Sequence, residues 1–147
     1  MIHERVPIRV ADESDLPFLM TLAREKYPHR GGGDTSVRWL RWVMNDRNHL
    51  VLVGAHSGGI ASVSWNYGIE RRGRVDVLAA RPTPGAALEA MRMVRLMVDW
   101  ARQEGAESFR LAADTNVDFA PFAARLGAVP KAVVHYEFDL RQEARHG

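Results

Sequence analysis

Cysteine is absent from the 147 residues, which excludes disulfides, thiolate metal sites and a cysteine nucleophile. Lysine is nearly absent too: Lys26 and Lys131 are the two lysines among 20 basic residues. A net charge of +2 makes too weak a field to argue for nucleic acid as a partner. The arginine dominance is as consistent with a GC-rich genome as with a binding surface. No apolar run approaches the roughly 20 residues that cross a bilayer, and the opening MIHERVPIRV lacks an apolar signal core. No membrane association and a cytoplasmic location are therefore expected. The histidines His3, His29, His49, His56, His135 and His146 show no ligand spacing, so no metal site is expected.

A hydrophobic fraction of 46% suits one compact domain over residues 1–147, with its core at about residues 6–140 and a polar tail, RQEARHG. VPIRVA (6–11) is short and β-branched. Leu16, Leu19, Met20 and Ala23 follow at helical spacing after a capping Asp12 or Ser14, and Tyr27-Pro28 ends that helix. SVRWLRWVMND predicts a second helix, with Trp39 and Trp42 as core or rim anchors. HLVLVGAH and IASVSWNYG read as strands flanking a hairpin turn at Ser57-Gly58-Gly59, IERRGR as a charged turn, and GRVDVLAA as a further strand. The clearest helix is GAALEAMRMVRLMVDWARQEG. It puts Ala87, Met91, Val94, Val98 and Ala101 on one apolar stripe, with Glu89, Arg92, Asp99 and Arg102 facing away and Gly105 as its C′ stop. SFRLAAD predicts a strand, VDFAPFAARLGA a short helix and KAVVHYEFDL a final strand. The order β-α-α-β-β-β-α-β-α-β implies an α+β fold, a mixed sheet covered on both faces in three α/β/α layers.

LAARPTPGAALEAM (78–91) carries a strand into a helix through a Gly-bearing turn, a place that suits a phosphate. Pro82 and Pro84 have no N–H to offer there. Thr83, Gly85, Ala86 and Ala87 keep theirs, and Arg81 adds positive charge.

At this length the element order resembles the GNAT (N-acetyltransferase) superfamily. Three stretches carry the resemblance: IRVADESDLPFLMTLARE, the 78–91 turn with its long amphipathic helix, and NVDFAPFAARLGA, in which Gly127 follows Asn116 by eleven positions. The resemblance implies a sheet that splays between its fourth and fifth strands and admits acetyl-CoA into the gap. Leu78, Ala79 and Ala80 would pair with pantetheine through their backbone. Arg81, Thr83, Gly85, Ala86 and Ala87 would hold the pyrophosphate, and Asn116 would complete the cofactor site. The cofactor loop is degenerate, since the family pattern is Gln or Arg, two residues, Gly, one residue, then Gly or Ala. With Gly85 and Ala87 in the last two places, Pro82 takes the first; with Arg81 first, Pro84 takes the place of Gly. The family's acid, a Tyr seven residues after the Asn, is replaced by Ala123.

Forming an amide from a thioester calls for a base on the amine and often an acid for the thiolate. Asp76, on the strand beside the splay, is the candidate base, and a solvent-facing acid on an alternating strand is its other reading. Tyr136 on the final strand, or Tyr67, is the candidate acid, and each also reads as a half-buried strand residue. Asp114 reads as an Asx turn beside Asn116. RGGGD reads as a flexible loop or an anion nest, and Arg71, Arg72, Arg74 and Arg81 as solvated charges or as a site for an acidic partner or the adenosine phosphate. Two functions follow. One is a metal-free N-acetyltransferase moving an acetyl group from acetyl-CoA to a small amine or a protein amine by direct attack. The other is a catalytically degenerate binding or structural protein with a protein partner or assembly, such as a bacteriophage particle component (a virion protein) or a host-interaction protein.

Overall fold

Gly58 and Gly59, expected at a hairpin turn, lie inside a strand. In the computed structural model, which describes residues 7–28, 33–112 and 120–143, the turn falls at Gly54-Ala55-His56, closed by the Gly54 N–H on the Ser57 carbonyl at 2.9 Å. Close packing explains the glycines. A Cβ on Gly58 would sit 2.7 Å from Leu19 Cδ2, and one on Gly59 would sit 2.5 Å from Met97 Cε. The two residues let a helix approach each face of the sheet, because successive positions of a strand point to opposite faces.

The described residues fall into two compact units, divided after Val117. The first holds β1 (Arg9–Val10), a 3-10 turn (Glu13–Asp15), α1 (Leu16–Lys26), α2 (Asp34–Asn45), β2 (His49–Val53), β3 (Ser57–Asn66), β4 (Glu70–Ala80), α3 (Ala86–Gln103) and β5 (Ser108–Arg110). The strands lie side by side in chain order. The first three pairings are antiparallel and β4 pairs β5 in parallel, so the sheet is mixed, as the element order implies. α1 and α2 cover one face through Leu19, Leu22, Leu40 and Val43 on Val51, Val53 and Ile60. α3 covers the other through Met93 and Met97 on Leu52 and Ala61. These are the three layers expected.

A capping box sets the start of the 3-10 turn that leads into α1. Asp12 accepts from the Ser14 N–H at 2.9 Å, and Asp15 reaches back to the Asp12 N–H at 2.8 Å. Arg9 grips the buried Asp15 carboxylate at 2.6 and 2.7 Å. The hydrogen bonds from Arg9 hold that carboxyl below its ordinary 3.8 against the opposing effect of burial.

Two local expectations are corrected. The charged segment Glu70–Arg74 is strand rather than turn, because the reversal occurs at Tyr67-Gly68, whose φ values of 54° and 68° are both positive, the backbone of a tight hairpin. The apolar stripe of α3 is rotated from the one expected: Ala86, Glu89, Met93, Val94, Met97 and Ala101 are buried, while Ala87 is exposed. Methionines on both sides of the helix make its apolar phase ambiguous in sequence, and contact with Gly59 selects Met93 and Met97. Gly105, at φ 84°, is the helix stop expected.

The second unit holds α4 (Ala120–Leu126) and α5 (Leu140–Glu143). The strand expected at 131–140 is not formed: residues 128–139 have no regular structure, and Val133, Val134, Tyr136 and Phe138 are exposed. Alternating apolar residues stay in a strand only when a neighbour supplies the ladder, and no described residue pairs with these.

Candidate functional site

β4 changes character halfway along. Arg72, Gly73 and Arg74 pair on one side with β3 and on the other with Ser108, Phe109 and Arg110 of β5. From Val75 to Ala80 the strand pairs with β3 alone among the described residues. Leu111 and Ala112 follow β5 without any ladder to β4. Among the described residues the ladder between the two strands therefore ends at Arg74 and Arg110.

Asp76 stands just past that end. Ile60 pairs with Val77 and Ala61 with Val75, so Asp76 is the extra residue of a bulge, a feature that re-aims side chains and breaks alternation. The phase reverses across it: Val75 packs with the α3 cluster and Val77 with the α1/α2 cluster. The Asp76 carboxylate accepts from Arg74 Nε at 2.7 Å and its side chain is 17% exposed. Of its two earlier readings, a solvent-facing acid on a regular strand does not fit.

Beyond the bulge, Arg81 donates its N–H to the His56 carbonyl at 2.9 Å. By alternation Ala79 faces β3 as well, while the N–H and C=O groups of Leu78 and Ala80 point to the open side. One of these is already engaged, because Lys26 Nζ at the end of α1 donates to the Leu78 carbonyl at 2.6 Å.

The turn after Ala80 keeps fewer donors than its sequence suggests. The Thr83 N–H goes to the Arg81 carbonyl at 2.8 Å and the Ala86 N–H to the Thr83 carbonyl at 3.2 Å. Gly85 precedes the helix at φ 84°, with no side-chain cap, and the first in-helix bond runs from the Glu89 N–H to the Gly85 carbonyl. Ala87 and Leu88 thus present the uncapped N–H groups of the α3 N-terminus, where the helix dipole favours an anion. A Cβ on Gly85 would meet nothing within 4 Å, so the turn is open on that side. Arg81 lies back on α1, its guanidinium 5.1 Å from the Phe18 ring centre and 3.5 Å from Glu25.

Glu89, expected to face away, is buried. It accepts from the His56 N–H at 2.8 Å and from Ser57 Oγ at 2.6 Å, tying the start of α3 to the β2–β3 turn. This carboxylate fixes the helix whose N-terminus forms the turn. Only its place four residues into α3 hinted at such a role.

Between α1, α2 and the sheet lies a cavity of about 270 Å³. Leu19, Leu40, Val51 and Ile60 form much of its wall, Tyr27 and Trp39 add aromatic surface, and Val77 and Ala79 bring the open half of β4 to its side. Lys26 is the one ionised side chain among the described lining residues. Neither the cavity nor Lys26 was legible in sequence, since the lining residues come from five separate elements.

Tyr67 is 92% exposed at the hairpin tip. The 11 residues of β4 from Glu70 to Ala80 span about 33 Å at the usual rise, which removes Tyr67 as a proton donor near Leu78–Ala80. Tyr136 is exposed in the second unit, and its ring is free of the strand expected to hold it. Ala123, at the place of the missing acid, lies in α4. Asn116, Asp114, most of RGGGD and the end of the tail lie outside the described residues. Among the described residues no group of histidines and carboxylates is placed to hold a metal ion, and no helix is long and apolar enough to cross a membrane.

No family profile and no curated protein sequence matches the chain. Solved structures do. Glucosamine-6-phosphate N-acetyltransferase from Arabidopsis thaliana superposes with a TM-score of 0.78 at 13% identity, over 92% of this chain and 99% of the other. An aminoglycoside acetyltransferase from an uncultured soil metagenomic sample, in complex with sisomicin, gives 0.71 at 20% identity over 92% and 96%. A transcriptional regulator from Bacillus halodurans gives 0.69 at 17% identity over 89% and 99%. At such identities the likeness concerns architecture: this chain has the mixed-sheet α+β fold of the GNAT acetyltransferases.

Proposed function

We propose that the protein transfers an acetyl group from acetyl-CoA to the nitrogen of a small amine. The observation that carries this reading is β4, which past Arg74 pairs with β3 alone among the described residues and whose outward backbone groups at Leu78 and Ala80, the Leu78 carbonyl already accepting from Lys26, run directly into the uncapped N-terminus of α3. A backbone edge suits the amide-bearing arm of CoA, and bare N–H groups at a helix start suit its diphosphate. The residues present fit that ligand although Pro82 and Pro84 supply no donors. Gly85, Ala87 and the neighbouring Leu88 offer N–H groups, and Thr83 contributes its hydroxyl and Arg81 its charge; Asn116, outside the described residues, is proposed to add its amide. Ala79 and Ala86 shape the path by their small size.

When bound, acetyl-CoA supplies the electrophilic carbonyl and a thiolate leaving group. The amine nitrogen forms the new N–C bond as the C–S bond breaks, and the sulfur leaves with that electron pair. The proton lost by the amine ends on the thiol, so amine and thioester become amide and thiol with nothing left over. Asp76, at the bulge on β4, takes the proton directly or through one water; Tyr136 is a candidate acid on its residue type alone. The proposed site of action is the cytoplasm.

The test is thermal unfolding with and without acetyl-CoA. A ligand at a hundred times its Kd stabilises the folded state by about 2.7 kcal/mol, so millimolar acetyl-CoA raises Tm and Ala80→Pro removes the rise. An unchanged Tm in the native protein sinks the reading. The alternative, a catalytically degenerate binding protein such as a phage particle component or host-interaction protein, is favoured by Pro82, Pro84 and Ala123. It predicts neither the rise in Tm nor acetylation of any amine.

A further inference from the structure

The chemistry of the cavity wall states which amine it can take. Its volume, about 270 Å³, exceeds the roughly 150 Å³ void that holds benzene and falls short of the roughly 300–1,000 Å³ of sites for drug-sized ligands. One ring on a short chain fills it, and a multi-ring aminosugar does not. The wall is built from aliphatic and aromatic side chains, and no Asp or Glu is among its described lining residues. Among the described lining residues a second ammonium group has no carboxylate to pair with, and unpaired burial of a charge is far more costly than a pKa shift that neutralises it.

Lys26 adds to the discrimination. Its Nζ is held at the rim by the Leu78 carbonyl at 2.6 Å, which fixes a positive charge beside the wall formed by Val77 and Ala79. A like charge at close range favours the neutral form of an entering amine. The neutral amine is also the form that carries the attacking lone pair. An apolar wall and a fixed cation therefore favour deprotonation of a monoamine and oppose polycations.

We infer that the acyl acceptor is an apolar primary monoamine, an arylalkyl or branched alkyl amine, and that Lys26 excludes polycationic amines from the cavity. This inference rests on the N-acetyltransferase reading for the reaction, but the cavity's preference is measurable without acetyl-CoA. Transfer to such an amine makes one N–C bond and breaks one C–S bond, and the amine proton ends on the CoA thiol.

Calorimetric titration of the full chain with 2-phenylethylamine and with sisomicin tests the inference. Phenylethylamine is expected to bind at least about tenfold more tightly than sisomicin. Because the bound form is neutral, its apparent affinity rises by roughly tenfold per pH unit below the amine's own pKa. Ala23→Phe, which fills the cavity from α1, is expected to weaken phenylethylamine binding at least about tenfold. Lys26→Glu, on an exposed side chain, is expected to raise sisomicin affinity by a similar factor. Sisomicin binding the native protein as tightly as phenylethylamine overturns the inference, as does phenylethylamine binding that is pH-independent or unaffected by Ala23→Phe. If the amine preferences hold and acetyl-CoA leaves Tm unchanged, the acetyltransferase reading falls and the cavity's preference stands. If acetyl-CoA binds and sisomicin is preferred, the acceptor inference alone falls.

Discussion

Glu70–Arg74 and Val75–Ala80 belong to one strand and differ in how many neighbours hydrogen-bond to them. The first half is paired on both sides from Arg72 to Arg74, and α3 packs so closely that a Cβ on Gly73 would lie 2.9 Å from the Ala101 Cβ and 2.7 Å from Phe109. The second half is paired on one side among the described residues, carries the bulge at Asp76, and borders the cavity through Val77 and Ala79. A strand so divided is anchored on both sides at one end and, under the proposed function, offers backbone groups to a ligand at the other. Stability should therefore be sensitive in the first half and binding in the second.

The largest effect expected on that division is Gly73→Val, which forces a branched side chain between Phe109 and Ala101. It should cost about 3 kcal/mol in urea unfolding, the upper part of the range for overpacking. A loss below about 1 kcal/mol would show that β5 yields easily and that the anchored half is softer than its contacts imply. Next comes Glu89→Ala, which leaves the His56 N–H and Ser57 hydroxyl without their acceptor. Its expected cost is about 2 kcal/mol, with weaker acetyl-CoA binding because the α3 N-terminus is no longer tied to the β2–β3 turn.

Gly85→Ala sharpens the contrast in the open half. There is room for the Cβ, so the penalty is conformational, about 1–2 kcal/mol for an L residue held left-handed. Acetyl-CoA affinity should fall by more than the loss of stability predicts, and equal losses would count against a ligand role for the turn. Asp76→Asn should change stability by only about 0.5 kcal/mol, as for a partly exposed ion pair, while lowering acetyl transfer by about a hundredfold, the scale of a general base. Unchanged turnover would leave proton removal to water.

The smallest effect lies outside β4 and provides a reference for the whole fold. Asp15 has its carboxyl pKa lowered in the folded protein by Arg9. Its contribution is complete above the unfolded value of 3.8 and is lost as pH falls through the lower folded value. Acid unfolding of Asp15→Asn should be shallower in that window than that of the native protein, and superimposable curves would mean that the Arg9 pair contributes nothing.

Several of these features could be read before any coordinates. The cap at Asp12, the stop at Tyr27-Pro28, the C′ Gly105 and the long α3 are local events, set by residues a few positions apart. The three layers followed from element order. Ser57-Gly58-Gly59 misled because glycine serves turns and close approaches alike, and the residues that distinguish the two uses, Leu19 and Met97, are distant in the chain. KAVVHYEFDL misled for a related reason: alternation states a preference for pairing and cannot supply the partner.

Composition and short-range pattern were enough for the absence of disulfides, the helix limits and a mixed sheet with two covered faces, since each depends on backbone geometry or on residues within one or two turns. The pairing of β4 with β5 at Arg72–Arg74, the bulge that turns Asp76, the burial of Glu89 and the seat of Lys26 on the Leu78 carbonyl depend on hydrogen bonds and contacts between distant segments. Those were decided only when the folded core brought the segments together, because the same residues satisfy their local preferences equally well in other registers.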